Sequence, residues 1–329
     1  MTVPPIRWGI AATGRIAERF VTGLAQLPGT EVAAVASRTS ARAQEFGAAH
    51  GIPRRHGTYR VLAEDPDVDV VYVASPHVRH EPDTLAFLAA GKPVLCEKPL
   101  AINDAEARRM VVAARDHGLF LMEAVWSRFL PAYAVLRDLL ASGRIGEPQL
   151  VEADFGFRRP FDPGHRLFDR ALGGGALLDL GIYPLQLASL VFGPPDRVSA
   201  QAHIGASGVD ESVAAVLHHP GGGLAVVKAA IRVATACTAR ITGTEGWIGL
   251  PAFMHCPDHL LVSTAGASRP ERIDCGWAGE GLRFQAAEVN ACLRDGRTES
   301  TVMPLDETVT LATTLTEIRR AIGLTYPGD

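Results

Sequence analysis

Two short stretches hold the residues best suited to chemistry. "KPVLCEKP" ends an apolar run on Glu97, Lys98 and Pro99, so a carboxylate and an ammonium leave a candidate buried strand together. "GGGALLDLGIYP" sets Asp179 and Tyr183 four residues apart in an otherwise apolar segment, with Pro184 directly after. Four-residue spacing puts both side chains on one face of a helix. Pro184 lacks a backbone N–H and predicts a kink directly after Tyr183. A free phenol, with a pKa of about 10, becomes a useful base near neutrality only where a positive charge stabilises the phenolate. From these residues alone, Tyr183 reads equally well as a buried tyrosine partnered by Asp179.

The first stretch belongs to a long alternation of strands and helices. "PIRWGIAA" reads as a strand, and "TGRIAERFVTGLAQL" as a helix with Ile16, Phe20 and Leu24 at helical spacing. "EVAAVAS", "DVDVVYVASP", "KPVLCE" and "LFLMEAVW" follow as strands. "SARAQEFGAAHG", "VRHEPDTLAFLAAG" and "INDAEARRMVVAARDHG" are the helices between them. This pattern implies an α/β Rossmann-like doubly wound parallel sheet, whose ligands bind at the carboxyl ends of the strands. Lys98 stands at such an end.

The first strand-to-helix turn is the expected phosphate site. "ATGRIA" aligns Ala12, Gly14 and Ala17 with the G-x-G-x-x-G/A fingerprint, so alanine replaces the first glycine. Ala12, Thr13, Gly14, Arg15 and Ile16 are therefore candidate cofactor contacts. The second strand ends in Ser37 and Arg38, with Arg42 one turn on, where an NAD-preferring chain would carry an acid. A guanidinium and hydroxyls suit a 2′-phosphate, so NADP(H) is expected over NAD(H). Ser75, Pro76, His77 and His80 in "ASPHVRH" lie at the sheet's carboxyl edge and are further candidates.

After Trp126 the pattern changes. "YAVLRDLLASGRIG" is a helix, and "PQLVEADFGF", "RVSAQAHIG", "ESVAAVLHHP", "LAVVKAAIRV" and "ACTARITGTEGWIGL" are strand-like. Successive strands with short turns predict a C-terminal α+β domain with a large, mostly antiparallel, open-faced sheet. The expected domains are residues 1–125 and 126–329, with Gly173, Gly174 and Gly175 a flexible entry to the apolar helix. "GLRFQAAEVNACLRDG" and "DETVTLATTLTEIRRAIG" read as closing helices without chemistry.

The ordered set of E-K-P, "MEAVWSRFLPAY", "FDPGHRLFDRALGGGALLDLGIYPLQ" and "GTEGWIGLP" resembles the Gfo/Idh/MocA family of NAD(P)-dependent oxidoreductases over essentially the whole chain. D-L-G-I-Y, where many members have D-x-G-x-H, is most similar to the branch of dimeric dihydrodiol dehydrogenases and NADP-dependent D-xylose 1-dehydrogenases. The resemblance implies hydride transfer between NADP and a C–OH or C=O group of an aldose or cyclic diol. It places Lys98, Asp179 and Tyr183 around the nicotinamide. Tyr183 is then the general acid/base and Lys98 its electrostatic partner, with lysine as the base the competing assignment. Asp179 orients the substrate or the lysine, and Glu97 fixes the turn or the cofactor ribose, with Trp126 near the carboxamide.

Trp126, Arg128, Phe161 and Arg166 are the expected substrate contacts, beside Asp179 and Tyr183; Phe129, Phe157, Arg158 and His165 are weaker candidates. The sheet's open face implies a homodimer or homotetramer. Two other readings keep the fold: a glycosidase or epimerase with transient internal redox, and a dinucleotide-sensing regulator without catalysis.

Composition narrows the partners further. The chain has 329 residues and a formal net charge of -4 with no basic stripe, which argues against nucleic acid. No apolar run reaches membrane-span length and no leader pattern opens the chain, so a cytoplasmic protein is expected. Five cysteines without C-x-x-C spacing fit a reducing compartment. His255-Cys256 lacks a second pair, and no metal is expected.

Overall fold

The computed structural model describes residues 4–327 and 329. The first half runs β1 (Ile6–Ala11), α1 (Arg15–Leu24), β2 (Thr30–Ala36), α2 (Ser40–Ala49), β3 (Arg54–His56) and α3 (Tyr59–Ala63). It continues with β4 (Val70–Val73), α4 (His80–Ala89), β5 (Val94–Glu97), α5 (Asp104–His117) and β6 (Leu121–Ala124). The second half contains α6 (Pro131–Ala141), β7 (Pro148–Gly156), α7 (Ile182–Phe192), β8 (Arg197–Ile204), β9 (Asp210–His218) and β10 (Leu224–Ala230). It closes with β11 (Ala239–Gly243), β12 (Gly246–Leu250), β13 (His259–Thr264), β14 (Glu271–Asp274), α8 (Arg283–Arg294) and α9 (Leu305–Ala321).

The chain forms two compact units. The first holds residues up to Ala101, Ala105–Trp126 and Ala278–Val309. Its six strands are parallel in the order β3-β2-β1-β4-β5-β6. β4 and β5 are buried at every residue, as expected where helices cover both faces. The α1 stripe of Ala17, Phe20, Val21 and Leu24 is buried at helical spacing. Gly9 is a packing glycine, because a Cβ there would lie 2.9 Å from Val68 Cγ1. The order reverses between β1 and β4, so a ligand crevice is expected at the ends of those two strands.

The return of 278–309 to this unit differs from the boundary at 126. Buried Trp8 on β1 donates its indole N–H to Asn290 of α8 at 3.1 Å, and Arg19 of α1 pairs with Glu280 at 2.7 Å. Nothing local in "LRFQAAEVNACLR" announces that its buried face meets residues nearly 300 positions away. β3 and α3 were also missed, since the all-polar "RRH" has no alternation to read.

The second unit is built on an eight-stranded sheet ordered β14-β13-β12-β11-β7-β10-β9-β8, antiparallel except for β7 beside β10. Alternate residues Val213, Ala215 and Leu217 of β9 and Ala225, Val227 and Ala229 of β10 are buried, and α7 packs against β7 and β10. The opposite face exposes Val216 and Leu224. Arg170–Phe192 is the one helical stretch among the described residues with membrane-span length and hydropathy; 83% of its apolar window is buried, as in a core helix. "ARITGTEGWIGL" is a hairpin of two strands rather than one run, and β13 and β14 were not expected.

Candidate functional site

In the first unit, the cofactor-type site is mostly backbone. Ala12 takes φ +114°, a conformation that explains why glycine is usual at that position. Gly14 begins α1 with no side-chain cap, and a Cβ there would meet nothing within 4 Å. The N–H groups of the first turn, including those of Arg15 and Ile16, therefore remain available to an anion at the positive end of the helix dipole. Thr13 and Ser37 stand side by side, their hydroxyls 3.5 Å apart. Arg38 and Arg42 are exposed, and neither guanidinium has an acidic partner among the described residues. This open turn and its free cations fit a dinucleotide.

The neighbouring strand end is tighter. Ser75 and His77 are buried, and Pro76 opens the short turn before α4. His80, expected to contact cofactor, is fully buried instead. Its Nδ1 lies 2.8 Å from the Pro99 carbonyl and its Nε2 2.9 Å from the Ser75 carbonyl. His80 thus ties the Ser75 turn to the Lys98-Pro99 turn. Burial pushes its pKa down, against two carbonyls that both favour an N–H.

Lys98 is half-buried at the end of β5, and the Lys98-Pro99 bond is cis. Glu97 is buried; one carboxylate oxygen accepts from the Tyr72 hydroxyl and the other from the Lys98 N–H at 3.2 Å. Tyr72 in turn stacks on Phe20 of α1, with ring centroids 3.8 Å apart. Glu97 therefore fixes the turn that presents Lys98, one of the two roles expected of it. Tyr72 was missed because it looks like any apolar strand residue. Trp126 is buried, with the Arg19 guanidinium 5.6 Å over its ring.

In the second unit, Asp179 and Tyr183 are both buried. The helix does not kink after Tyr183 as expected. Leu177–Gly181 forms a π turn, and regular α-helix resumes at Ile182 and runs through Pro184. Proline cannot bond to the carbonyl four residues back and its ring crowds it; one extra residue in the preceding turn absorbs the mismatch. Such π turns occur often at functional sites. Gly173, Gly174 and Gly175 are buried rather than a flexible entry, and a Cβ on Gly174 would lie 2.6 Å from the Arg166 carbonyl.

Arg166 donates from both terminal nitrogens to one Asp179 oxygen at 3.0 Å, joining two expected site residues. Tyr183 is walled by Phe155, edge-on at 5.4 Å, and by His255 at 5.1 Å between ring centroids. Phe155 and His255 also stack on each other at 4.4 Å. In the sequence, His255 stands out only beside Cys256, as half of an incomplete metal-binding pattern. Its approach to Tyr183 is a long-range contact without a local signal. Among the described residues, no group of three or more His, Cys, Asp or Glu side chains could hold a metal ion.

The remaining substrate candidates divide. Phe161 is 42% exposed, edge-on to Phe168 and near the Arg232 guanidinium. Arg128 is a correction: it is 3% exposed and donates to the Gln186 side chain at 2.6 Å and carbonyl at 2.7 Å. Gln186 continues to Tyr133, so Arg128 braces α7 from within the core. Of the weaker candidates, Arg158 is exposed, Phe129 and Phe157 are half-buried, and His165 caps the turn at Arg166 through its Nδ1.

A doubly wound sheet with an anion-ready turn at its switch point, joined to a unit with a buried Asp–Tyr pair, defines a dinucleotide-dependent oxidoreductase. Comparison with known proteins makes this specific. Residues 6–125 match the oxidoreductase family with an NAD-binding Rossmann fold, and residues 133–249 match the GFO/IDH/MocA C-terminal domain. The chain belongs to the Gfo/Idh/MocA family and is an NAD(P)-dependent dehydrogenase or reductase. It is 42% identical to the human trans-1,2-dihydrobenzene-1,2-diol dehydrogenase over 332 residues, covering 98% of this chain and 99% of that one. Among solved structures it is similar to the aldose-aldose oxidoreductase from Caulobacter crescentus complexed with glycerol (TM-score 0.87, 28% identity, 96% and 97% coverage). It is also similar to the 3-ketoreductase KijD10 from Actinomadura kijaniata with NADP and TDP-benzene (TM-score 0.87, 28% identity, 97% and 98% coverage).

Proposed function

We propose that this protein is an NADP-dependent dehydrogenase of an aldose or a cyclic diol, with Tyr183 as general acid/base and Lys98 as its cationic partner. The observation that carries this reading is Tyr183 itself, buried at the start of a helix that follows a π turn, against the stacked rings of Phe155 and His255. Aromatic walls suit the C–H face of a sugar or cyclic diol, and the phenol suits its hydroxyl. A bound dinucleotide supplies the hydride acceptor at the nicotinamide. Tyr183 takes the hydroxyl proton as the carbon is oxidised and returns it in the reverse direction. The Lys98 ammonium favours the phenolate, which brings the tyrosine closer to the working pH. Asp179, held by Arg166, accepts from a second substrate hydroxyl. Arg38, with no acidic partner among the described residues, favours a 2′-phosphate and therefore NADP over NAD.

The names of the related human, Caulobacter and Actinomadura proteins support redox chemistry on diol or sugar-like substrates. We further propose that the face bearing Val216 and Leu224 pairs with a second copy of the chain, which size-exclusion chromatography with light scattering tests. The substrate test follows NADPH absorbance with aldoses, cyclic ketones and trans-dihydrodiols. Net NADPH formation or consumption is expected. Product without net redox change, or tight cofactor binding without turnover on any of them, would overturn the reading.

A further inference from the structure

Behind the π turn lies a buried carboxylate that the proposed chemistry does not use. Asp210 opens β9 and is fully buried. Its Oδ2 accepts the Leu177 N–H at 2.7 Å, the first amide of the π turn. Its Oδ1 occupies the place a side chain at position 175 would need: a Cβ on Gly175 would lie 2.1 Å from it. Gly175 also has φ +117°, a conformation that L side chains rarely adopt. Glycine at 175 and aspartate at 210 are thus two halves of one fit.

The C-terminal segment closes the same fit from another direction. Tyr326 donates its hydroxyl to the Gly174 carbonyl at 2.5 Å, and a Cβ on Gly175 would lie 3.1 Å from that hydroxyl. Tyr326 is held in turn, its N–H bonded to Asp329 at 2.7 Å, and Asp329 pairs with Arg319 of α9. Arg170, just before the glycines, donates to the Thr325 carbonyl at 2.6 Å. The charged or titratable groups acting on Asp210 are Arg319 from α9 and Tyr326 from the tail.

We infer that Asp210 is a positioning residue: by holding the Leu177 amide against Gly175, it sets the start of the π turn and hence where Asp179 and Tyr183 point. Two and six residues separate the anchored amide from those side chains, with no loop between them to absorb a shift. A helix start left without its acceptor would relax its first turn, and a small displacement of reacting groups is costly in rate. The inference rests on the proposed role of Tyr183.

The test compares Asp210→Asn, which keeps an acceptor oxygen, with Asp210→Ala, which does not. Asp210→Val, nearer aspartate in volume, suited to a strand and without an acceptor, is the second variant where the alanine protein does not accumulate. Asn should keep kcat within about threefold, while Ala or Val should lose about tenfold or more in kcat, with KM for NADP+ changed less than about threefold. Amide hydrogen exchange should rise across 176–183 in Ala or Val and not in Asn. Equal kcat and equal exchange in all variants would overturn the inference, as would Asn behaving like Ala. The exchange result stands even if Tyr183→Phe proves active. Such a result would remove the catalytic assignment and leave the positioning one to be judged alone.

Discussion

The two units prepare for ligands by opposite means. The turn after β1 offers amides of an uncapped helix start, and its side chains are small, exposed or half-buried. The segment around Asp179 and Tyr183 offers side chains, buried and held by neighbours from several elements. A backbone site tolerates substitution so long as the dihedral angles are reached, which is how Ala12 stands in for a glycine. A side-chain site tolerates little, because each group's position depends on contacts drawn from the whole unit.

This contrast orders the expected effects. Tyr183→Phe should lower kcat by about 10²–10⁴-fold, the usual contribution of a general acid/base, while NADPH titrated by fluorescence binds within about threefold of wild type. Near-normal turnover would remove the tyrosine from the chemistry. Arg38→Ala should raise KM for NADP+ by about 10–100-fold, the loss of a charge-assisted hydrogen bond, and leave NAD+ nearly unaffected. Equal kinetics with both dinucleotides, before and after substitution, would refute the cofactor preference.

Smaller effects concern stability. Burial, opposed by the Leu177 and Ala176 amides, raises the Asp210 pKa from 3.8 to about 7. A carboxyl whose pKa is raised on folding contributes stability at pH below its unfolded value, and that contribution is lost as pH rises through about 7. Asp210→Asn removes this titration. Its urea midpoint relative to wild type should therefore be more favourable at about pH 8 than at about pH 5, and an unchanged difference would contradict the shift. The smallest effect is expected at Ala12. Ala12→Gly relieves a φ that disfavours side chains, against a greater unfolded-state entropy, for a net gain of about 0.5–2 kcal/mol by denaturant unfolding.

Much of the first unit was legible because its signals are local. Alternating strands and helices, Gly14 before a helix and Ser37-Arg38 after a strand each reflect a few adjacent residues. His80 shows where local reading fails. Its place at the sheet edge suggested a ligand contact, yet two carbonyls from separate turns enclose it. Arg128 fails for the same reason, since nothing near it foretells Gln186. The short strands β3 and β14 escaped because they lie at sheet edges and lack the apolar alternation that burial on one face imposes.

The amino-acid sequence by itself determined the class of fold, the family, the glycine turn between the first strand and helix, and the presence of Lys98, Asp179 and Tyr183. These follow from propensity, periodicity and short motifs, which act over a turn or a strand. Only the tertiary structure decided that Arg166 holds Asp179, that Phe155 and His255 wall Tyr183, that Asp210 anchors the π turn, and that 278–309 returns to the first unit. Those outcomes depend on close packing and on the pairing of buried polar groups between residues far apart in the chain. No local pattern encodes them one residue at a time.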